Sequence, residues 1–388
     1  MAFSFMDARA DVVIIGAGIV GLTIAFELAR GGVPRIVVFD TGAPGQQSTG
    51  RATGGIRRQF GSALEIRLTE ATLEFYWPIF SDPDFNGRFE RDGYLFLAGP
   101  EQRTRLEDAC RLQQSHGVRT EWLEPETLRE RYPYVDLSNI IGATWCADDG
   151  FIDPWSIVQW LLQRCRALGV VIRPQRQVHE IEVGKGRVRA VRADDERVEA
   201  PTVVNAAGAW AGTVATLAGV RLPVQPSPRI QIVTDTKHSL PATTPLIVDL
   251  STGGYVRGIA GRILAGVSPA KERFGFDLEP TSDEVEAIAA HVSARFPGLQ
   301  NAGIARIISG LYEVTPDGLP VASAGEHVEG FCTVAGFNGH GIMHGPALSC
   351  AMADLILHGR STRFDVAPFS ARRFEVKSVA RDRSSSLI

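Results

Sequence analysis

The chain has 388 residues, of which 44% are hydrophobic and 22% charged, and a formal net charge of -4. That is enough apolar material for a large core in two or three domains, and the mildly acidic balance gives no general electrostatic basis for binding nucleic acid. No apolar run approaches the length of a transmembrane segment and residues 1–10 lack a basic start before an apolar core, so a cytoplasmic location is expected.

Residues 11–15 are a β-rich apolar run that stops at Gly16-Ala17-Gly18-Ile19-Val20-Gly21. The text then turns helical, with apolar positions Ile19, Val20, Leu22, Ile24, Ala25, Leu28 and Ala29. In this strand, turn and helix, Gly16 permits the turn, Gly18 lets the backbone approach a pyrophosphate, and Gly21 lets the helix lie close to the sheet. A diphosphate would sit at the positive helix end, beside Ile19 and Val20. Gly31-Gly32 ends the helix, residues 33–39 read as a second strand, and Asp40 closes it where an acid can hydrogen-bond an adenosine ribose. This unit alone fits NAD and FAD equally, because both present the same ADP half.

Residues 43–60 are rich in Gly, Ser, Thr and Arg and read as a ligand-lining loop, with Ser48, Thr49, Thr53, Gly54 and Gly55 as cofactor contacts. A helix is expected over 64–80. A strand at 93–97, a charged helix at 101–116 and a helix at 125–131 resemble an inserted cap. Asp153-Pro154-Trp155 starts a helix running to about residue 168, followed by a strand at 170–173 and a hairpin of 178–182 with 188–192, where Val178 faces the cofactor.

Residues 203–210 form a buried strand ending in small residues, which suits a backbone passing under a cofactor at Ala207, Gly208 and Trp210. Alternation at 229–234, 246–249, 254–257 and 262–266 predicts a second sheet, with a helix at 282–295. The last segment is a strand leading into a glycine-rich turn at 330–341, then an amphipathic helix at 346–358. A mobile tail is expected beyond Phe374. Cys110, Cys146, Cys165, Cys332 and Cys350 are odd in number, scattered and without metal-ligand spacing, which reads as buried thiols and no metal site.

Four blocks together resemble the D-amino-acid oxidase superfamily, in the branch holding the β-subunits of sarcosine oxidase and dye-linked L-proline dehydrogenase. They are the dinucleotide fingerprint, the Thr53-Gly54-Gly55-Ile56-Arg57-Arg58-Gln59-Phe60 loop, the 203–210 strand, and a final pair. That pair is Gly310-Leu311-Tyr312-Glu313-Val314-Thr315-Pro316-Asp317-Gly318 and Gly336-Phe337-Asn338-Gly339-His340-Gly341. The resemblance implies an α/β fold: a doubly wound, glutathione-reductase-like FAD-binding domain from 1–90, 141–220 and 325–388, and a mixed-sheet substrate domain from 91–140 and 221–324. The flavin ring would lie between them.

It also implies hydride transfer to flavin from the carbon next to nitrogen of an amino acid or secondary amine (sarcosine-, proline- or opine-like), giving an imine. Gly310, Asp317, Gly336, Asn338, Gly339, His340, Gly341 and Ile342 would join the FAD site. Arg57 matches the family arginine beside the flavin, where a planar fork suits a substrate carboxylate, and Arg58 is its rival. His340 is a catalytic candidate, and His344 a weaker one. Tyr255, Arg257 and Tyr312 are candidate cavity walls.

Several positions depart from the relatives. Gly310 stands where covalent-flavin relatives carry cysteine, so FAD is expected without a covalent bond. Ile152 precedes Asp153 where an FMN-linking histidine would stand, which argues against covalent FMN and leaves a bound FMN open. Leu264 and Met343 replace lysines of the monomeric sarcosine oxidases. With Lys237 and Lys271 the only lysines in that region, a dehydrogenase passing electrons onward is favoured over an oxidase, with other subunits of a hetero-oligomer as partners. The alternative is a flavin-bearing assembly or scaffold protein; an NAD-dependent dehydrogenase finds no support in the C-terminal block.

Overall fold

The opening apolar run is a buried strand, Val12–Ile15, at the centre of a six-stranded sheet. The computed structural model describes residues 8–235, 240–241, 244–259 and 261–375. The start before residue 8, Lys237, Lys377 and the tail from 376 onward lie outside the described residues.

The sheet runs Val171–Arg173, Ile36–Phe39, Val12–Ile15, Thr202–Asn205, Phe331–Ala335 and Val321–Ala324. The first five strands are parallel, and the last pairs antiparallel at the edge. Successive residues of the opening strand serve two different cores. Val12 and Ile14 pack with the helices Ile19–Arg30, Pro154–Ala167 and Gly341–His358, whereas Val13 and Ile15 pack on the other face. That face is covered by the short helix Ala211–Leu217 and by a four-stranded sheet built around Val178–Gly184 and Arg187–Ala193. The α/β architecture with a second mixed sheet is present as expected. The sequence pattern did not disclose that long helices cover one face and a small sheet the other.

The second sheet has eight strands, in the order Ile304–Val314, Gln225–Thr234, Arg262–Val267, Gly254–Ile259, Leu246–Asp249, Tyr94–Ala98, Gly142–Cys146 and Thr120–Leu123. It is antiparallel except where Leu246–Asp249 runs parallel to Tyr94–Ala98. One face buries Leu95, Ile230, Ile247 and Ile263 against Ile288 and Val292 of the helix Ser282–Arg295. That helix begins with a capping box, Thr281 with Glu284, which satisfies two helix-start donors locally. Gly142–Cys146, which the sequence division places with the first domain, pairs here with Tyr94–Ala98, and Val321–Ala324 pairs in the six-stranded sheet.

The five cysteines are buried and free of disulfides. Among the described residues no cluster has the composition of a metal site, and no helix is long and apolar enough to cross a membrane.

Candidate functional site

Strands of a parallel sheet point their C-terminal ends toward the same edge, and ligands of such folds bind there. A cavity of about 410 Å³ opens at that edge and runs on to the eight-stranded sheet. It gathers Gly16, Gly18, Ile19, Val20 and Asp40 with Ser48, Thr49, Thr53, Val178, Ala207, Gly208 and Trp210. Gly310, Tyr312, Gly339, Gly341 and Ile342 line it as well.

Gly16 has φ +108°, a conformation that favours glycine, and an added Cβ would overlap the Ala206 carbonyl. A Cβ on Gly21 would overlap the Gly16 carbonyl, so the first helix can lie against its strand only if that position is bare. Gly18 caps the helix without a side-chain hydrogen bond, and the first turn carries no acid. The positive helix end is therefore left for an anion. Thr49 Oγ1 accepts a hydrogen bond from Ile19 N at 3.1 Å, fixing the loop over this end. Asp40 accepts from Ala17 N at 2.7 Å and Gly42 N at 2.8 Å while lining the cavity. Burial raises its pKa, but each carboxylate oxygen keeps a lone pair for a ribose hydroxyl.

Other expected site residues stand outside the cavity lining. Gly54 and Gly55 are bare where the loop packs on Ile152 and on Tyr94. Asn338 donates to Gly336 O at 2.6 Å and accepts from Thr315 N at 3.1 Å, so its side chain fastens the turn. Gly336 packs on Thr315. Asp317 accepts from Arg373 Nε at 2.6 Å and from Leu319 N at 3.1 Å, which locks its own turn.

Arg57 and His340 meet outside the lining as well. Arg57 is 2% exposed, its Nη1 donates to Gln59 O, and its Nη2 lies 3.3 Å from His340 Nε2. Its guanidinium sits 3.9 Å from the Phe60 ring centroid. Burial lowers its pKa, opposed by Tyr94, Glu65 and Asp149. His340 is the residue that opens the helix Gly341–His358. His344 packs on Phe60 with its pKa pushed down to about 3 by burial, so it is neutral. Arg257 donates to Thr53 O at 2.5 Å and covers the Phe151 ring at 3.6 Å, holding the loop.

Asp149 anchors the same loop, accepting from Arg58 N at 2.8 Å and Gln59 Nε2 at 3.0 Å. Burial pushes its carboxyl up to about 6, above the ordinary 3.8. A raised carboxyl pKa means the folded state holds its proton more tightly. Its contribution is therefore present at low pH and is lost as pH rises through the interval between those values. Thermal melts of the wild type against Asp149→Asn should show the wild type losing on the order of 2–3 kcal/mol relative to the variant over that interval. Parallel pH profiles would assign no titration to Asp149.

On the eight-stranded sheet the cavity is lined by Arg229, Gln231 and Tyr312, the first two unforeseen from sequence. Arg229 donates to Ser227 Oγ and to Glu272 Oε1, both at 2.7 Å, and its guanidinium lies 4.6 Å from the Tyr312 ring centroid. Tyr255 stands outside the lining, and burial keeps its phenol protonated. The Gln231 Oε1 atom has no partner among the described residues. A signal was present: Arg229 and Gln231 alternate with buried Ile230 and Ile232, so one face of that strand is polar without being a free surface.

The cradle of bare glycines, the uncapped helix start and the acid after the second strand fit a dinucleotide, and the same cavity reaches residues of the eight-stranded sheet. A family model described as FAD dependent oxidoreductase (DAO) matches residues 11–355. FAD-dependent oxidoreductase domain-containing protein 1 of Mus musculus is 28% identical over 94% of this chain and 85% of its own length. Mitochondrial dimethylglycine dehydrogenase of Rattus norvegicus is 27% identical over 94% of this chain and 45% of its own. L-proline dehydrogenase from P. horikoshii superposes with a TM-score of 0.88 at 28% identity, covering 95% of this chain and 99% of the other. The chain belongs to the DAO family of FAD-dependent oxidoreductases, with FAD as its cofactor.

Proposed function

We propose that this chain oxidises a carboxylate-bearing amine or amino acid, moving a hydride from the carbon next to nitrogen to FAD and leaving an imine. The observation that carries this reading is the polar wall of Arg229, Gln231 and Tyr312 in the same cavity as the Gly339–Gly341 turn. An arginine fork suits a carboxylate, and Gln231 adds a second polar side chain to the same wall. FAD, when bound, supplies the hydride acceptor. The chain's own residues hold the amine, and the eight-stranded sheet is the substrate side of the division between domains. The names of dimethylglycine dehydrogenase, sarcosine dehydrogenase and L-proline dehydrogenase, all for carboxylate-bearing amines, support the same class.

Leu264 and Met343 are buried apolar residues, so neither place offers an ammonium to assist oxygen. That supports a dehydrogenase handing electrons to a partner subunit. Buried free thiols support a reducing, cytoplasmic setting.

Anaerobic titration of the yellow protein with a panel of amino acids and N-alkyl amino acids tests the reading. Bleaching of the flavin spectrum is expected with at least one of them, followed by slow recolouring in air. Absence of bleaching across the panel overturns amine oxidation, and fast recolouring makes the protein an oxidase. With the reactive amine in hand, Arg229→Met should raise KM by roughly 100-fold, the loss of one charge-assisted contact, with FAD content unchanged. An unchanged KM moves the carboxylate elsewhere.

A further inference from the structure

The ADP half of FAD belongs at the strand–turn–helix end of the cavity, where Gly16, Gly18 and Asp40 stand. Its redox-active ring therefore belongs toward the other end, where the strand Ile304–Val314 meets the Gly339–Gly341 turn. Only two acids line the cavity among the described residues: Asp40, after the strand Ile36–Phe39, and Glu313, on the strand Ile304–Val314.

Glu313 is wedged between two glycine turns. Its Oε2 accepts from Gly336 N at 2.8 Å, and Cβ atoms built on Gly208 and Gly341 would lie 4.0 Å from its Oε2 and Oε1. Those turns follow the adjacent parallel strands Thr202–Asn205 and Phe331–Ala335, and Gly341 begins the helix Gly341–His358. No basic side chain pairs with Glu313 among the described residues. Burial pushes its carboxyl up to about 7, against the N–H groups of Gly336 and Phe337.

We propose that Glu313 is a redox-linked proton acceptor, whose carboxylate takes up a proton as the bound FAD gains two electrons and returns it on reoxidation. Reduction brings negative charge into a cavity that already holds this carboxyl, and like charges there repel. Protonating Glu313 removes the repulsion, and by reciprocity the proton favours reduction. The accounting closes: the electrons and one proton enter the flavin, as a hydride from a substrate carbon or as electrons from an external donor plus a solvent proton. A separate solvent proton binds Glu313 Oε1, while Oε2 keeps its Gly336 N–H. Both steps reverse when the electrons leave.

The ionisable neighbours do not account for the shift. Tyr312 precedes Glu313 on its strand and burial keeps it a phenol. Arg229, on the paired strand, is engaged with Glu272. His340, at the head of the helix, lies against Arg57. None of them is a cause of the change at Glu313.

The inference rests on bound FAD and not on the amine, so the test omits substrate. The FAD-loaded protein is photoreduced anaerobically near pH 7 in weak buffer, with a pH indicator counting protons. With a carboxyl at about 7 that is half protonated before reduction, the wild type should take up more protons per two electrons than Glu313→Gln, by a margin approaching about one half. Equal uptake by the two proteins overturns the proposal, because the protons then go to the flavin alone. If the glutamine variant fails to retain FAD, reduced-minus-oxidised infrared spectra of the wild type decide. With side-chain 13C-labelled glutamate, a protonated-carboxyl band should grow on reduction and shift with the label, and a spectrum without such a band overturns it. Failure of amine bleaching would leave this result standing, so the two ideas fail separately.

Discussion

Gly18→Val is expected to give a folded, colourless protein whose affinity for FAD is weakened by roughly 100-fold or more. The position has φ -80° and ψ -173°, extended backbone open to any residue, so the fold tolerates a side chain there. The cavity does not: Thr49 Oγ1 already lies 3.1 Å from the first atom that would be added, and valine adds two methyls beyond it. Gly21→Ala offers the contrast. Its new methyl would overlap the Gly16 carbonyl, lifting the helix from its strand, and the melting temperature of the apoprotein should fall along with FAD retention. Flavin content after gel filtration, read beside the melting curve, separates the two. A fully yellow Gly18→Val protein would remove the diphosphate from this turn.

Arg57→Ala should slow flavin reduction by the amine roughly 100-fold while FAD stays bound. The side chain is enclosed by Phe60 and Phe96, and its fork is shared between Gln59 O and His340 Nε2. Its removal leaves a buried carbonyl unsatisfied and loosens the residue that opens the Gly341–His358 helix. Arg57 is thus expected to act as a positioning residue through His340, lowering kcat more than it raises KM. Arg57→Lys should not restore the rate, because a single ammonium cannot reproduce the planar fork. Stopped-flow reduction gives the answer. A rise in KM confined to carboxylate-bearing amines would instead make Arg57 a substrate ligand, and parallel loss of FAD would assign it to the cofactor.

What could be read from the chain alone was what is locally encoded. The glycine fingerprint, the Asp153 cap of Pro154–Ala167 and the helices Pro125–Arg131 and Ser282–Arg295 all carry their signals within a few residues. The eleven-residue strand Ile304–Val314 was legible only as a motif, because Ile304 and Ile307 are exposed and break the alternation that marks a half-buried strand. The cavity's charged wall was missed for a related reason: Arg229 reads as a surface charge until Glu272 and Tyr312 arrive from distant sequence. Asp317 and Asn338 sit in the expected blocks, and their polar atoms are engaged by Arg373 and Leu319 and by Thr315 and Gly336. Type and spacing could not reveal that choice between backbone and ligand.

The order of strands in the parallel sheet also bears on synthesis. Thr202–Asn205 lies between Val12–Ile15 and Phe331–Ala335, so the edge at which the cavity opens is assembled from segments more than 300 residues apart. A nascent polypeptide that has emerged only as far as the Ser282–Arg295 helix already carries the glycine fingerprint but lacks the strand and turn that complete the cleft. The cleft is consequently completed only once residues 331–341 have emerged, and the apolar strand faces wait until then for that partner. Sheets closed by such distant pairings form slowly, so yield during expression should respond to chaperones and growth temperature more steeply than to added riboflavin.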